Sequence, residues 1–139
     1  MNILVIDAQG GGIGRQLVAK LLERIPEADI VAAGTNSMAT NAMIKAGAKK
    51  AATGENAIRY CASQAEIITG PIGILVANAM LGEISPAIAE SVGSSTAPKV
   101  LIPTAHCNTI IAGTKALPVK DSIEDAVDRI VRIHGGDDN

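Results

Sequence analysis

The sequence predicts a single-domain, three-layer α/β fold built on a mostly parallel sheet of about five strands. Three observations carry that expectation. Short apolar runs of strand length alternate with longer segments whose apolar residues recur at helical spacing, the pattern of a parallel sheet covered by helices on both faces. The first run, Asn2 to Ile6, is continuously apolar after its first residue, as strands buried on both faces are. A glycine cluster then occupies the junction between that strand and the first helix.

The elements follow in order. Ile13, Leu17, Val18, Leu21, Leu22 and Ile25 form one helical stripe, and Pro26 closes it. Ile30 to Gly34 is the second strand. A helix follows from about Ser37, with Met38, Ala42, Met43 and Ala46 on one face and Gly47 as its stop. Ala51 to Gly54 reads as a short third strand, and residues 55–65 fit either a helix or a strand. Glu66 to Thr69 is the fourth strand, halted by Gly70-Pro71. Ile72 to Leu81 reads as a helix apolar on nearly all sides, which requires either burial or a subunit interface. Ser85-Pro86 is an N-cap followed by proline at the first helical position. Val100 to Ile102 is the fifth strand, with Thr109 to Ala112 as an added edge. In the last helix Ser122 is the cap, Asp125 completes a capping box, and Ile123, Val127, Ile130 and Val131 form the buried face. Gly135-Gly136 stop it. The domain is expected to span residues 1–134, with residues 135–139 as a frayed tail.

Composition narrows the function. A chain of 139 residues holds one domain with one sizeable core. With 47% apolar and 19% charged residues it is globular rather than disordered. There is no Phe or Trp and a single Tyr, Tyr60, so platforms for stacking bases are absent, and the net charge of −2 leaves no basic footprint. Nucleic acid is not an expected partner. Cys61 and Cys107 form no CxxC pair and have only His106 and His134 as potential co-ligands, so neither a disulfide framework nor a metal site is expected. The chain opens directly in a strand without the regions of a secretion signal, and a cytoplasmic location is expected. The longest apolar stretch, Ile67 to Leu81, is interrupted by Thr69, Gly70, Pro71, Gly73 and Asn78, which excludes a spanning helix there.

The motif that identifies a ligand is Gln9-Gly10-Gly11-Gly12-Ile13-Gly14. Glycines at a strand-to-helix turn let the backbone approach a ligand, with amides at the positive end of the helix dipole. Close helix–strand packing accounts for glycines there as well. The dinucleotide fingerprint GxGxxG needs glycine at 10, 12 and 15, but residue 15 is Arg. The short-chain dehydrogenase turn fits better, with Gly12-Ile13-Gly14 intact. Its catalytic Tyr-x-x-x-Lys pair finds only Tyr60 followed by Gln64. The second strand ends Gly34-Thr35-Asn36, without the acid that bonds a ribose, so NAD(P) is admitted as a cofactor but not favoured. Arg15 and Gln16 stand where a P-loop carries Lys and Ser/Thr, which argues against NTP hydrolysis.

In an open parallel sheet, ligands bind outside the carboxyl ends of the strands. The candidate set there is Asp7, Gln9, Gly10, Gly11, Gly12, Ile13 and Gly14, then Thr35 and Asn36, then Thr53, Gly54, Glu55 and Asn56, then Gly70 and Pro71, and last His106. Asp7 either ligates a cation or acts as a base, or it caps the first turn of the glycine loop. Glu55 either serves a ribose or a proton transfer, or is a solvated loop residue. His106-Cys107-Asn108 has the residue types of thiol catalysis, but adjacent residues rarely make that geometry, which leaves His106 as a ligand contact.

Taken together, several segments resemble a short bacterial family of Rossmann-like proteins known only as a domain of unknown function. They are Ile6-Asp7 with Gln9 to Gly14, Gly34-Thr35-Asn36, Ala52 to Ala57, Gly70 to Gly73, and Ala77-Asn78 with Met80 to Glu83. Ala8 departs from the family's usual Asp-Gly-Gln. The resemblance implies a Rossmann-like fold and brings no activity with it. The expected function is binding of an anionic small molecule, a nucleotide or phosphorylated metabolite, at the glycine loop. The alternatives are a non-catalytic regulatory or assembly module, homo-oligomeric through residues 72–81, and a small NAD(P)-dependent oxidoreductase subunit.

Overall fold

The computed structural model describes residues 2–104 and 108–136. Five strands, β1 (Asn2–Asp7), β2 (Asp29–Gly34), β3 (Lys50–Thr53), β4 (Ile67–Pro71) and β5 (Lys99–Ile102), form one sheet in the order β3-β2-β1-β4-β5. Every pairing is parallel, with Val5 opposite Ala32 on one side and Thr69 on the other. The helices α1 (Gly12–Arg24), α2 (Ser37–Lys45), α3 (Glu55–Gln64), α4 (Pro86–Ser94) and α5 (Val119–His134) connect and flank them. The strand order reverses at β1, so the chain leaves β1 towards β2 and later returns on the far side as β4. The crevice between their carboxyl ends is the switch point at which such sheets bind ligands.

Two apolar layers hold the sheet. One packs Leu17, Val18 and Leu21 of α1, Met43 of α2 and Ile123, Val127 and Ile130 of α5 against Ile3 and Val5. The other packs Ile58 and Ala62 of α3 and Ile88 and Val92 of α4 against Leu4, Ile6 and Ile68. Alternate residues of β1 thus serve opposite layers, which is why that strand reads as unbroken apolar sequence. Among the described residues no helix is long and apolar enough to cross a membrane.

Several expectations are corrected. Ile72 to Leu81 is not a helix: Ile72–Leu75 is a single 3-10 turn, and the chain then runs through successive turns to Ile84. Ile74, Ala79 and Ile84 are buried one by one without helical period, and Leu81 is 98% exposed. The uniform apolar sequence comes from turns that dip repeatedly onto the sheet layer. Residues 55–65 resolve as a helix, since Ile58 and Ala62 lie on one buried face. The fourth strand is not halted by Gly70-Pro71 but includes both, because β5 continues to pair there, with Leu101 and Ile102 opposite them. Met38 lies outside the packed face of α2, where Ala39 and Thr40 are buried alongside the expected Met43. Thr109 to Ala112 forms no strand and is exposed. The last helix starts at Val119, so Ser122 lies inside its first turns rather than at the cap. Pro118 takes that role, its carbonyl accepting from the amides of Asp121 and Ser122. Of the expected tail, Gly135 and Gly136 form the closing turn, and residues 137–139 lie outside the described residues.

The Ser85-Pro86 start of α4 is as expected: the Ser85 hydroxyl accepts from the Ile88 amide at 3.2 Å, and the same hydroxyl donates to Glu55. Ser85→Ala is expected to lower stability by about 1 kcal/mol, as loss of a helix cap does. Urea unfolding with an unchanged denaturant slope checks this.

Candidate functional site

Asp7 is the last residue of β1, and its side chain is only 4% exposed. The chain turns back over it immediately. One carboxylate oxygen accepts from the Ala8 amide at 2.8 Å and the other from the Gly14 amide at 2.6 Å, within the first turn of α1. Burial pushes the Asp7 pKa up, while the amides of Gly14, Ala8 and Ile13 pull against that rise and the Glu83 charge adds to it. The carboxylate thus occupies the amide cluster at the helix terminus that an external anion is expected to use. Ile13 is half-buried and packs against the core.

The four glycines of the turn divide into two pairs. A side chain on Gly14 would come within 2.7 Å of the Met43 sulfur and 2.9 Å of Asp7 Cβ. Gly11 has a left-handed backbone, φ +72°, and a Cβ there would lie 2.9 Å from backbone atoms of Ala39. Packing therefore requires both. Gly10 and Gly12 have nothing within 4 Å of an added Cβ and no left-handed backbone. Both are exposed, and among the described residues their amides have no protein acceptor. The fold has no use for glycine at these two positions. Ala8 likewise has no left-handed backbone; that geometry falls on Gln9, at φ +52°.

A residue absent from the candidate set organises the rest. Glu83 Oε1 accepts from the Gln9 amide at 2.9 Å, the Thr35 hydroxyl at 2.6 Å and the Asn36 side-chain amide at 2.9 Å. Desolvation raises its pKa, but the bonds from Thr35, Gln9 and Asn36 outweigh that and hold it below the ordinary carboxylate value. Glu83 brings to the end of β2 the acid that the strand itself lacks. Asn36 also caps α2, accepting from the Ala39 amide, and donates to the Gln9 carbonyl at 3.0 Å. The loop that delivers Glu83 carries left-handed backbone at Asn78, Met80, Leu81 and Gly82.

The remaining candidates are placed as follows. Thr53 exchanges a hydrogen bond of 2.7 Å with Thr40 across the ends of β3 and α2. The Gly54 amide donates to the Gly34 carbonyl, and Glu55 accepts from Ser85. Asn56 is exposed in the first turn of α3. Gly70 and Pro71 are buried in β4, where a Cβ on Gly70 would lie 2.2 Å from the Ile6 carbonyl oxygen. His106 and Cys107 lie outside the described residues. Cys61 is half-buried in α3, and burial pushes its thiol pKa up. Among the described residues no group of acids, histidines and cysteines is arranged to hold a metal.

Beside the glycine turn a recess of about 510 Å³ opens between α1 and α2, lined by Gly10, Arg15, Ser37, Met38, Asn41, Ala42 and Lys45. Its two charged residues are both cations. Among the described residues neither Arg15 nor Lys45 makes an ion pair. The sequence motif placed Arg15 as a departure from a fingerprint; the fold places it on the wall of a cavity. Ser37, Asn41 and Lys45 carried no sequence signal, because their closeness to Gly10 depends on how α2 packs.

A parallel sheet with its switch point at β1 and β4, a glycine turn after β1 and a recess at that turn define a Rossmann-like α/β protein. The chain belongs to the family described as a domain of unknown function (DUF3842), whose model matches residues 2–135. No curated protein matches it in sequence. Among solved structures it is similar to a dodecameric FMN-dependent UbiX-like decarboxylase from Escherichia coli O157:H7, at 16% identity and a TM-score of 0.51, over 97% of this chain and 95% of that one. It is also similar to AibC, at 15% identity and a TM-score of 0.48, over 99% of this chain but 40% of the other. At these identities the likeness is one of fold.

Two outcomes follow from the geometry. Gly14→Ala is expected to destabilise the fold by about 1–3 kcal/mol through overpacking, whereas Gly12→Ala at the first helical position should change it by less than about 1 kcal/mol, both read by urea unfolding. Because the folded pKa of Glu83 is depressed, its contribution is present above the ordinary value of 4.5 and is lost as pH falls through the folded value. Asp7, with its pKa raised, opposes this, since its contribution is larger when protonated. The difference in unfolding free energy between wild type and Glu83→Gln reports the Glu83 carboxylate together with its charge effect on Asp7, and it should shrink as pH is lowered below about 4.5.

Proposed function

We propose that this protein binds a phosphate-bearing small molecule, a nucleotide or phosphorylated metabolite, in the recess beside the glycine turn. The observation that carries the reading is the pair Gly10 and Gly12, which neither packing nor backbone conformation requires to be glycine. Bare, exposed amides at the start of a helix are a feature that an approaching anion uses. Arg15 and Lys45 on the recess wall supply charge-assisted donors without competing acids, and Ser37 and Asn41 supply neutral ones. A volume of about 510 Å³ suits a small-molecule site. Asp7 and Glu83 shape the turn in this reading and leave its outer amides to the ligand. The FMN-dependent solved neighbour supports the same chemical class, since FMN carries a phosphate. A cytoplasmic location accords with the free Cys61 thiol.

A second reading concerns assembly. We propose that a second copy of the chain covers the exposed apolar residues of the segment before α5, where Ile110 is 95% exposed and Leu117 is 54% exposed. The 72–81 segment forms no helix to serve as the interface, and the dodecameric state of the solved neighbour supports assembly as such. Light scattering is expected to show an oligomer that Ile110→Asp dissociates; a monomeric wild type overturns the reading.

The binding proposal is checked by thermal shift with inorganic phosphate and AMP. Ligand at a hundred times its dissociation constant is expected to add about 2.7 kcal/mol. Gly12→Val and the double variant Arg15→Ala/Lys45→Ala should lose the shift while keeping the unliganded melting temperature within a few degrees, as exposed substitutions do. No shift by either probe in the wild type defeats the proposal.

A further inference from the structure

The recess beside the glycine turn does not end at α2. A second cavity of about 350 Å³ shares Arg15, Ala42 and Lys45 with it and continues along α1 past Gln16, Ala19 and Lys20 to Lys120 and Ile123 of α5. Its charged lining is Arg15, Lys20, Lys45 and Lys120, all cations, on a chain whose net charge is −2. From Arg15 to Lys20 the α1 axis advances by roughly 7.5 Å, five residues of rise. A single phosphate seated at Gly10 and Arg15 therefore leaves the Lys20 and Lys120 end unused.

The fold offsets this clustering only in part: Lys45 lies in the last turn of α2, where the helix dipole favours a cation. Among the described residues Arg15, Lys45 and Lys120 have no acidic partner, and Lys20 alone is paired, with Glu124 at 3.3 Å and Glu23 at 3.8 Å. Like charges around one cavity repel. Lys120 also sits in the first turn of α5, where the helix dipole disfavours a cation and Asp121 is the acid of that turn, and the first turns of α1 and α2 contain no acid. An anion lying along the trough offsets the like-charge repulsion and the cost at Lys120 together.

Resting on the binding proposal above, we infer that the ligand carries a chain of phosphates, held at one end by the Gly10–Gly12 turn with Arg15 and Lys45 and at the other by Lys20 and Lys120. The shared chemistry is a linear polyphosphate, free or as the tail of a nucleoside di- or triphosphate. The inference is of binding and includes no hydrolytic step.

Isothermal titration of the full chain at fixed ionic strength tests it, with inorganic phosphate, tripolyphosphate, ATP and a single-stranded DNA oligonucleotide as probes. Lys20→Gln/Lys120→Ala is expected to weaken tripolyphosphate and ATP by about tenfold or more, the loss of at least one charge-assisted hydrogen bond, while leaving inorganic phosphate nearly unchanged. Lys49→Ala/Lys115→Ala, which removes the same charge away from the trough, should leave all probes unchanged. Tighter binding of ATP than of tripolyphosphate assigns the nucleotide as the source, and equal binding assigns the bare chain; both support the inference. If phosphate binds but tripolyphosphate gains nothing over it, or if both double variants weaken tripolyphosphate equally, the extended site is overturned while the phosphate site stands. If the oligonucleotide outcompetes tripolyphosphate and is the probe lost in the trough variant, a nucleic-acid surface replaces it. If no phosphate probe binds the wild type, the underlying proposal falls and this one with it.

Discussion

The Asp7 carboxylate is the contact on which the site depends. It ends the central strand, is nearly excluded from water, and holds the Ala8 and Gly14 amides on its two oxygens. Those bonds bend the chain through the glycine turn and start α1 directly above β1. They require Gly14 to be bare, because Met43 and Asp7 itself crowd that position. The pKa balance expresses the same tension: burial opposes the charge that the amides favour. A buried acid used in this way is a structural anchor, and it leaves Gly10 and Gly12 as the exposed glycines of the turn.

Glu83 repeats the device at the edge of the site. One oxygen gathers Gln9, Thr35 and Asn36, which belong to the turn after β1, the end of β2 and the cap of α2. The two acids therefore fix the inner and outer sides of the same turn. Between them they tie the cap of α2 to the turn that starts α1, beside the recess lined by Arg15 and Lys45.

Much of the fold was legible because parallel strands leave strong marks: Asn2 to Ile6 and Ile30 to Gly34 serve two apolar layers at once, and their helices repeat at regular spacing. Ser85-Pro86 was legible because capping is local chemistry. The 72–81 segment was misread because apolar content without period does not distinguish a buried helix from turns that touch the core repeatedly; Asn78 is a residue type that favours left-handed backbone, but Met80 and Leu81 carry no such mark. The start of α5 was misread because Ser122 and Asp125 match a capping box, while Pro118 accepts the amides that matter. At the site, the glycine turn was visible and its division into two roles was not. That division depends on Ala39 and Met43, which arrive from α2 through tertiary packing. Glu83, distant in sequence from Gln9, was hidden for the same reason.

The left-handed backbone at Gln9 has a consequence for how such a chain can change over generations. A residue with a side chain is strained at φ +52°, and its amide is held by Glu83. Glycine at position 9 would adopt the same turn without strain, and the acid at 83 would then have one less task. Loss of the acid with Gln9 retained would leave a strained residue held only by the Asn36 side chain at its carbonyl. Positions 9 and 83 are therefore coupled in the changes they tolerate, and the less costly order relieves the backbone first, although 73 residues of chain separate them.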